Sequence, residues 1–248
     1  MASPSTGVSR VVSLVPSATE TLLALGVTPI AVTRFCEHPE LPQVGGTKNP
    51  DVDAIVALAP DLVVLCEEEN RKEDAEGLAS AGVATCALVI DSVDDAAFAV
   101  AALAGLTGTG HHEVVGAFVI PAAARVESID RVRAFVPIWR RPWMTMSGGT
   151  YGSSLLSHLG IDNVFADATT RYPEVDLEQV AARQPDVVLA PSEPYAFKER
   201  HVAELRDVAP VELIDGQDLF WWGIRTPAAI DRLQRRLQDW LPAADPDR

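Results

Sequence analysis

Cys36, Glu37 and His38 set a thiol, a carboxylate and an imidazole on consecutive residues, three groups able to ligate a metal or move a proton. A closed zinc site needs about four such ligands, commonly as paired clusters. The other cysteines do not supply them, because Cys66 ends an apolar run and Cys86 lies inside one. Two readings of His38 stay open: a plain loop histidine, or a single axial ligand to a metal that is already chelated. The run Glu67-Glu68-Glu69-Asn70-Arg71-Lys72-Glu73-Asp74 follows a strand, where a solvated helix start is the ordinary reading. A matching polar segment, Pro191-Ser192-Glu193-Pro194-Tyr195, follows a second strand, so parts of both are expected to line a cleft.

Tyr195, Phe197, Phe220, Trp221 and Trp222 add aromatic surface near the C-terminus. Three consecutive aromatics cannot all enter a core from one face, so at least one is expected to meet a ligand or partner. Arg225 precedes the last helix, placed to take an anionic group in a bidentate way. No catalytic set assembles. G-x-S-x-G and H-E-x-x-H are absent and the histidines, including His111-His112, fall in no motif, so an enzyme is not expected.

The elements that carry these residues read as alternating strands and helices. Arg10–Val15 reads as a strand ended by Pro16, and Ser17-Ala18-Thr19-Glu20 has the capping-box pattern for a helix closing at Gly26. Residues 30–33 form a short strand, followed by an irregular loop to Pro50 whose length is usual for a functional loop. Glu113 to Arg133 reads as one long helix, with Pro121 as a kink-forming defect. The next strand is Trp143–Met146, leading into the turn Ser147-Gly148-Gly149-Thr150. That turn and Val15-Pro16-Ser17 occupy equivalent places, and helix N-termini there offer unpaired donors toward a ligand or serve as plain caps. Neither is a nucleotide loop.

One stretch is written twice. Asp51–Leu65 returns without a gap as Asp176–Ala190, with identities at Asp51/Asp176, Ala57/Ala182, Pro60/Pro185, Asp61/Asp186 and Val63/Val188. Each copy reads as a short helix, a Pro-Asp turn and a buried strand. A weaker echo pairs Leu22…Leu25-Gly26-Val27 with Leu156…Leu159-Gly160-Ile161. Two similar α/β lobes imply a cleft between them, where small ligands bind.

Composition agrees with a globular protein, 48% hydrophobic and 22% charged over 248 residues. The formal net charge of −15 argues against nucleic acid or anionic membrane as partner. The first residues lack the charged start and apolar core of a signal peptide, and three cysteines do not make a disulfide framework, so a reduced, cytoplasmic setting is expected as the sequence is written. An extracytoplasmic setting follows if the sequence has been trimmed.

The order strand–Pro-Ser-x-Thr-Glu–helix, then Pro-Asp-Leu-Val, a long joining helix and Pro-Asp-Val-Val resembles the class III substrate-binding proteins, the helical-backbone metal receptors. That family includes the vitamin B12-binding and ferric-siderophore-binding proteins of ABC importers. The stretches VGGTKNPDVDAIVALAPDLVVL, EENRKED, RYPEVDLEQVAARQPDVVLAPSEPYAF and DLFWWGIRTP look like a subgroup without an export signal. The resemblance implies an α/β fold of two doubly wound lobes, residues 8–110 and 136–248, joined by a backbone helix over 111–135. It implies a corrinoid (cobalamin), haem or siderophore as ligand, with no cofactor required, and a monomer. Ligand contacts are expected from Pro16, Ser17, Cys36, Glu37, His38, Glu68, Glu69 and Asn70, and from Glu193, Tyr195, Trp222 and Arg225. Asp53 and Glu178 fall where the B12-binding members carry the glutamates that engage an ABC permease. Two other readings remain: a cytosolic metal-handling protein or enzyme on the same scaffold, using His38, Glu68 and Glu193, or a protein-interaction module acting through Asp53 and Glu178.

Overall fold

The computed structural model describes residues 8–109, 115–116, 118–120 and 131–240. The chain divides into two compact units. One comprises residues up to Ile90, Asp94–Val119 and Trp222–Arg225; the other comprises Asp91–Val93, Ile120–Trp221 and the residues from Thr226 onward.

The first unit is built on strands β1 (Val11–Ser13), β2 (Ala31–Val32), β3 (Leu62–Cys66) and β4 (Thr85–Leu88), all parallel, in the order β2-β1-β3-β4. Every residue of β1, β2 and β3 is buried, as expected of a parallel sheet covered on both faces. Helices α1 (Pro16–Ala24), α2 (Val52–Ala57) and α3 (Lys72–Ser80) make the crossovers, and α4 (Val93–Leu106) follows β4. Val12, Leu14, Ala31, Ile55, Val63, Leu65 and Leu78 form one core layer.

The second unit repeats this plan. Strands β5 (Val132–Phe135), β7 (Ile161–Asn163), β9 (Val187–Pro191) and β10 (Val211–Ile214) are parallel in the order β7-β5-β9-β10. Helices α5 (Tyr151–His158), α6 (Leu177–Ala182), α7 (Glu199–Leu205), α8 (Gly216–Phe220) and α9 (Thr226–Arg236) complete it. Strands β6 (Trp143–Met144) and β8 (Glu174–Val175) form a separate antiparallel ribbon.

The duplicated stretch folds twice in the same way, atom for atom at its turns. Asp51 caps α2 by accepting from the Ala54 amide at 2.9 Å, and Asp176 caps α6 by accepting from Gln179 at 2.7 Å. Ala59 and Gln184, each just before the proline, take φ values of 44° and 49°. Asp61 then accepts from the Arg10 amide at 2.8 Å, and Asp186 from the Arg133 amide at 2.8 Å. Arg10 donates to the Ala59 carbonyl and Arg133 to the Gln184 carbonyl. Gly26 and Gly160, the weaker echo, both close helices in the left-handed region, with φ of 78° and 81°. The matched strands β3 and β9 lie in different sheets.

Two expected elements are corrected. The helix read over Glu113–Arg133 cannot reach Arg133, because Val132–Phe135 is β5, the counterpart of β1. Val132, Ala134 and Phe135 are buried with Arg133 exposed, and the Arg133 backbone and side chain are both held by the second Pro-Asp turn. Of the rest of that stretch only residues 115–116, 118–120 and 131 are described; Pro121, and His111 and His112 just before the stretch, lie outside the described residues. Trp143–Met146 is likewise not the opening strand of the second sheet; the strand covers only Trp143–Met144 and pairs antiparallel with β8. The capping box at Ser17 and Glu20 also gives way. Helix α1 starts at Pro16 on an extended Val15, whose aliphatic side chain has no oxygen to cap with, and Ser17 falls inside the first turn.

Candidate functional site

In parallel α/β sheets the ligand crevice lies beyond the carboxyl ends of the strands. In the first unit those ends deliver Val15–Ser17, Thr33–His38, Glu67–Asn70 and Val89–Ile90 to one edge. Pro16 and Ser17 are buried at the α1 start. Asn70 is buried and clasps three segments: its Oδ1 accepts from the Cys66 amide at 2.8 Å, and its Nδ2 donates to the Leu14 carbonyl at 3.2 Å and the Thr47 carbonyl at 2.9 Å. Its oxygen and both amide hydrogens are engaged in ordering the edge. Glu68 and Glu69 are half-buried, and Lys48 caps the Glu68 carbonyl at 2.6 Å.

Cys36 turns inward. Its Sγ lies 3.2 Å from Thr19 Oγ1 and 3.5 Å from Thr33 Oγ1, and it is 5% exposed, too enclosed to meet a large ligand directly. Cys66 is inert as a nucleophile, since burial, with Glu69 adding to it, pushes its thiol up to about 12. Glu37 is exposed. His38 is partly exposed, and its Nδ1 sits 2.9 Å from Glu40 Oε1. A carboxylate accepting from one ring nitrogen favours the tautomer with its lone pair on the other, the arrangement seen behind metal-binding imidazoles. Among the described residues no three His, Cys, Asp or Glu side chains converge as a metal cage.

Arg225 and Trp222 differ from expectation. Arg225 grips Glu20 with two bonds, Nε to Oε2 at 2.9 Å and Nη2 to Oε1 at 3.2 Å, so its fork serves α1. Burial holds the Glu20 carboxyl above its usual range, and the Arg225 charge opposes that rise. Ile224 donates to Thr21 Oγ1 at 3.2 Å, and Gly223, with φ of 99°, leaves no space for a Cβ, which would lie 2.3 Å from that oxygen. Trp222 is 3% exposed and its indole is core rather than ligand surface. The aromatic run is unevenly buried: Phe220 and Trp221 are half-buried, Trp222 is enclosed.

In the second unit, Glu193 follows β9 and accepts from Trp221 Nε1 at 2.6 Å. Gly216 packs flat against it, where a Cβ would come within 2.5 Å of Glu193 Cγ. Tyr195 stands in an aromatic cluster, with ring centroids 5.5 Å from Trp139, 4.8 Å from Phe197 and 5.4 Å from His201. Trp143 stacks on Phe197 at 6.1 Å. Trp139, Trp143, Glu20 and the exposed Phe35 and Val89 were not anticipated. An aromatic residue just past β5 becomes visible as a site candidate only once β5 is recognised as a strand.

Asp53 and Glu178 lie in the first turns of the matched helices α2 and α6, both exposed. A crossover helix runs back along its sheet, so each first turn faces the carboxyl edge of its own unit.

Two parallel α/β units of the same strand order, each gathering polar and aromatic groups at its carboxyl edge, define a duplicated α/β fold of the binding-protein kind. The chain belongs to the periplasmic binding protein family, whose model matches residues 11–205. It is 30% identical over 189 residues to the vitamin B12-binding protein of Salmonella typhi, covering 73% of this chain and 71% of the relative. The vitamin B12-binding protein of Vibrio parahaemolyticus is 30% identical over 192 residues, covering 73% and 70%. Among solved structures, the periplasmic vitamin B12 binding protein of Vibrio cholerae superposes with a TM-score of 0.74 at 22% identity, over 94% of this chain and 97% of the other. The periplasmic haem-binding protein of Roseiflexus sp. RS-1 does so with a TM-score of 0.71 at 23% identity, over 94% and 99%. The helical-backbone metal receptor resemblance seen in the motifs is thereby shown. No described helix is long and apolar enough to cross a membrane.

Proposed function

We propose that this chain is a binding protein, not an enzyme, and that its ligand is a metal-bearing ring chelate of the corrinoid or haem type. Residues at the strand carboxyl edges would hold it. The observation that carries the reading is the His38–Glu40 pair, a part-exposed imidazole backed by a carboxylate. A ring that arrives with four equatorial ligands needs only one such axial nitrogen. The relatives named for vitamin B12 and haem support the ligand class. Titration with hydroxocobalamin and with haemin, followed by absorbance, is expected to show saturable binding of at least one. His38→Ala should remove the band shift that reports axial nitrogen. Binding of neither below about millimolar, where recognition is already weak, defeats the reading.

Exposed Asp53 and Glu178 would dock the loaded protein on basic pockets of a membrane permease, each acid reaching from an equivalent helix turn. Capture by a reconstituted importer should weaken with salt and vanish in Asp53→Lys/Glu178→Lys, while ligand affinity stays unchanged. Capture that ignores both substitutions rejects this docking mode.

A further inference from the structure

The carboxyl edge of the second unit carries a corner whose charge runs against that of the whole chain. Trp139, just past β5, is 45% exposed, although an indole of that size normally hides most of its surface. Its ring stands edge-on to Tyr195, at 76° between planes, so the two rings adjoin. Arg140 lies beside Tyr195 and donates to Glu204 through Nε at 3.0 Å and through Nη2. Arg141 lies near Glu204, and Lys198 and Arg200 lie near His201, which itself packs against Tyr195. Arg141, Lys198 and Arg200 are exposed. Against Arg140, Arg141, Lys198 and Arg200 stand only Glu199 and Glu204 on the same segments, in a chain of formal charge −15. A solvated acidic surface does not concentrate cations around an exposed indole by composition alone.

Resting on the ring-chelate reading above, we infer that this corner receives the edge of the ring and selects ligands whose periphery carries carboxylates. Trp139 packs on the ring and the cations meet the acids, so a dicarboxylate porphyrin is preferred over an uncharged corrinoid. Haemin and cyanocobalamin are the probes, titrated against wild type, Trp139→Ala, Trp139→Phe and Arg141→Glu/Lys198→Glu. In wild type, haemin should bind at least tenfold more tightly than cyanocobalamin. The charge-reversed variant should lose at least tenfold for haemin, with the loss shrinking at high salt, and stay within about twofold for cyanocobalamin. Trp139→Ala should weaken haemin about tenfold, and Trp139→Phe should recover most of it. Wild-type preference for cyanocobalamin, or haemin affinity indifferent to both Trp139→Ala and the charge reversal, overturns the inference and leaves the ring-chelate function standing. Binding of neither probe removes both together.

Discussion

Phe135→Ala is expected to cost the second unit about 3–5 kcal/mol, the range for deleting a fully enclosed aromatic ring. Phe135 has no exposed surface and meets Phe165 edge-on, with centroids 6.0 Å apart. Val180, Val188 and Leu205 close the same cluster, so three elements lose packing at once. The cavity cannot collapse easily, because Phe135 sits on β5, held in register between β7 and β9. Urea denaturation followed by far-ultraviolet circular dichroism measures the effect. Phe98→Ala, removing a ring that is 73% exposed on α4, should change stability by no more than about 0.5 kcal/mol. Equal effects from the two substitutions would place Phe135 on the surface and undo the assignment of β5 as a core strand.

The Phe135 case also marks where sequence patterns stop. The doubled stretch was legible because its grammar is local: a capping aspartate, a proline after a left-handed residue, an aspartate that accepts backbone donors, then an aliphatic strand. The caps span three residues each, and the longer bonds that Asp61 and Asp186 accept from the Arg10 and Arg133 amides recur in both units. β5 was illegible for a different reason. Val126, Ile129 and Val132 recur at a three-residue spacing that mimics a helix face, whereas Val132, Ala134 and Val136 alternate as a strand does. Short apolar runs satisfy both periods. What decides is Arg133, whose amide and guanidinium are claimed by Asp186, Gln184 and Arg183, about 50 residues away in sequence. No local pattern contains that bond.

At the candidate site, residue type was legible and direction was not. Glu37, His38 and Tyr195 keep surface at the strand ends as their chemistry suggested. Trp222 and Arg225 have the right chemistry pointed elsewhere, one into the core and one onto Glu20. The spacing of Ser17 and Glu20 fits a capping box, yet the helix starts one residue earlier than that box requires, at Pro16, so Ser17 lies inside the first turn and Glu20 is left to Arg225. Such outcomes depend on one or two bonds that form only after the chain has folded. The polar residue most deeply committed to the edge is Asn70, and it is the sharpest place to test that distinction.

Asn70→Ala is expected to destabilise the first unit by about 3 kcal/mol, since three hydrogen bonds at about 1 kcal/mol each disappear from a buried position. Asn70→Asp is more discriminating. The carboxylate keeps the bond from the Cys66 amide, but its second oxygen replaces a donor that faced the Leu14 and Thr47 carbonyls. Oxygen then confronts oxygen, and a buried charge has no cation within the clasp. At neutral pH the aspartate variant should therefore be at least as unstable as the alanine variant. Protonation restores a donor, so the folded form raises the pKa of the new carboxyl above its unfolded value near 4. The sign follows: stability of Asn70→Asp should rise relative to Asn70→Ala as pH falls from 7 toward about 4. Paired urea melts at those two pH values, with limited proteolysis of residues 34–50 alongside, measure both the clasp and the loop it holds through Thr47. If the aspartate variant matches wild type at pH 7, Asn70 faces solvent or ligand, and the edge is ordered by something other than this amide.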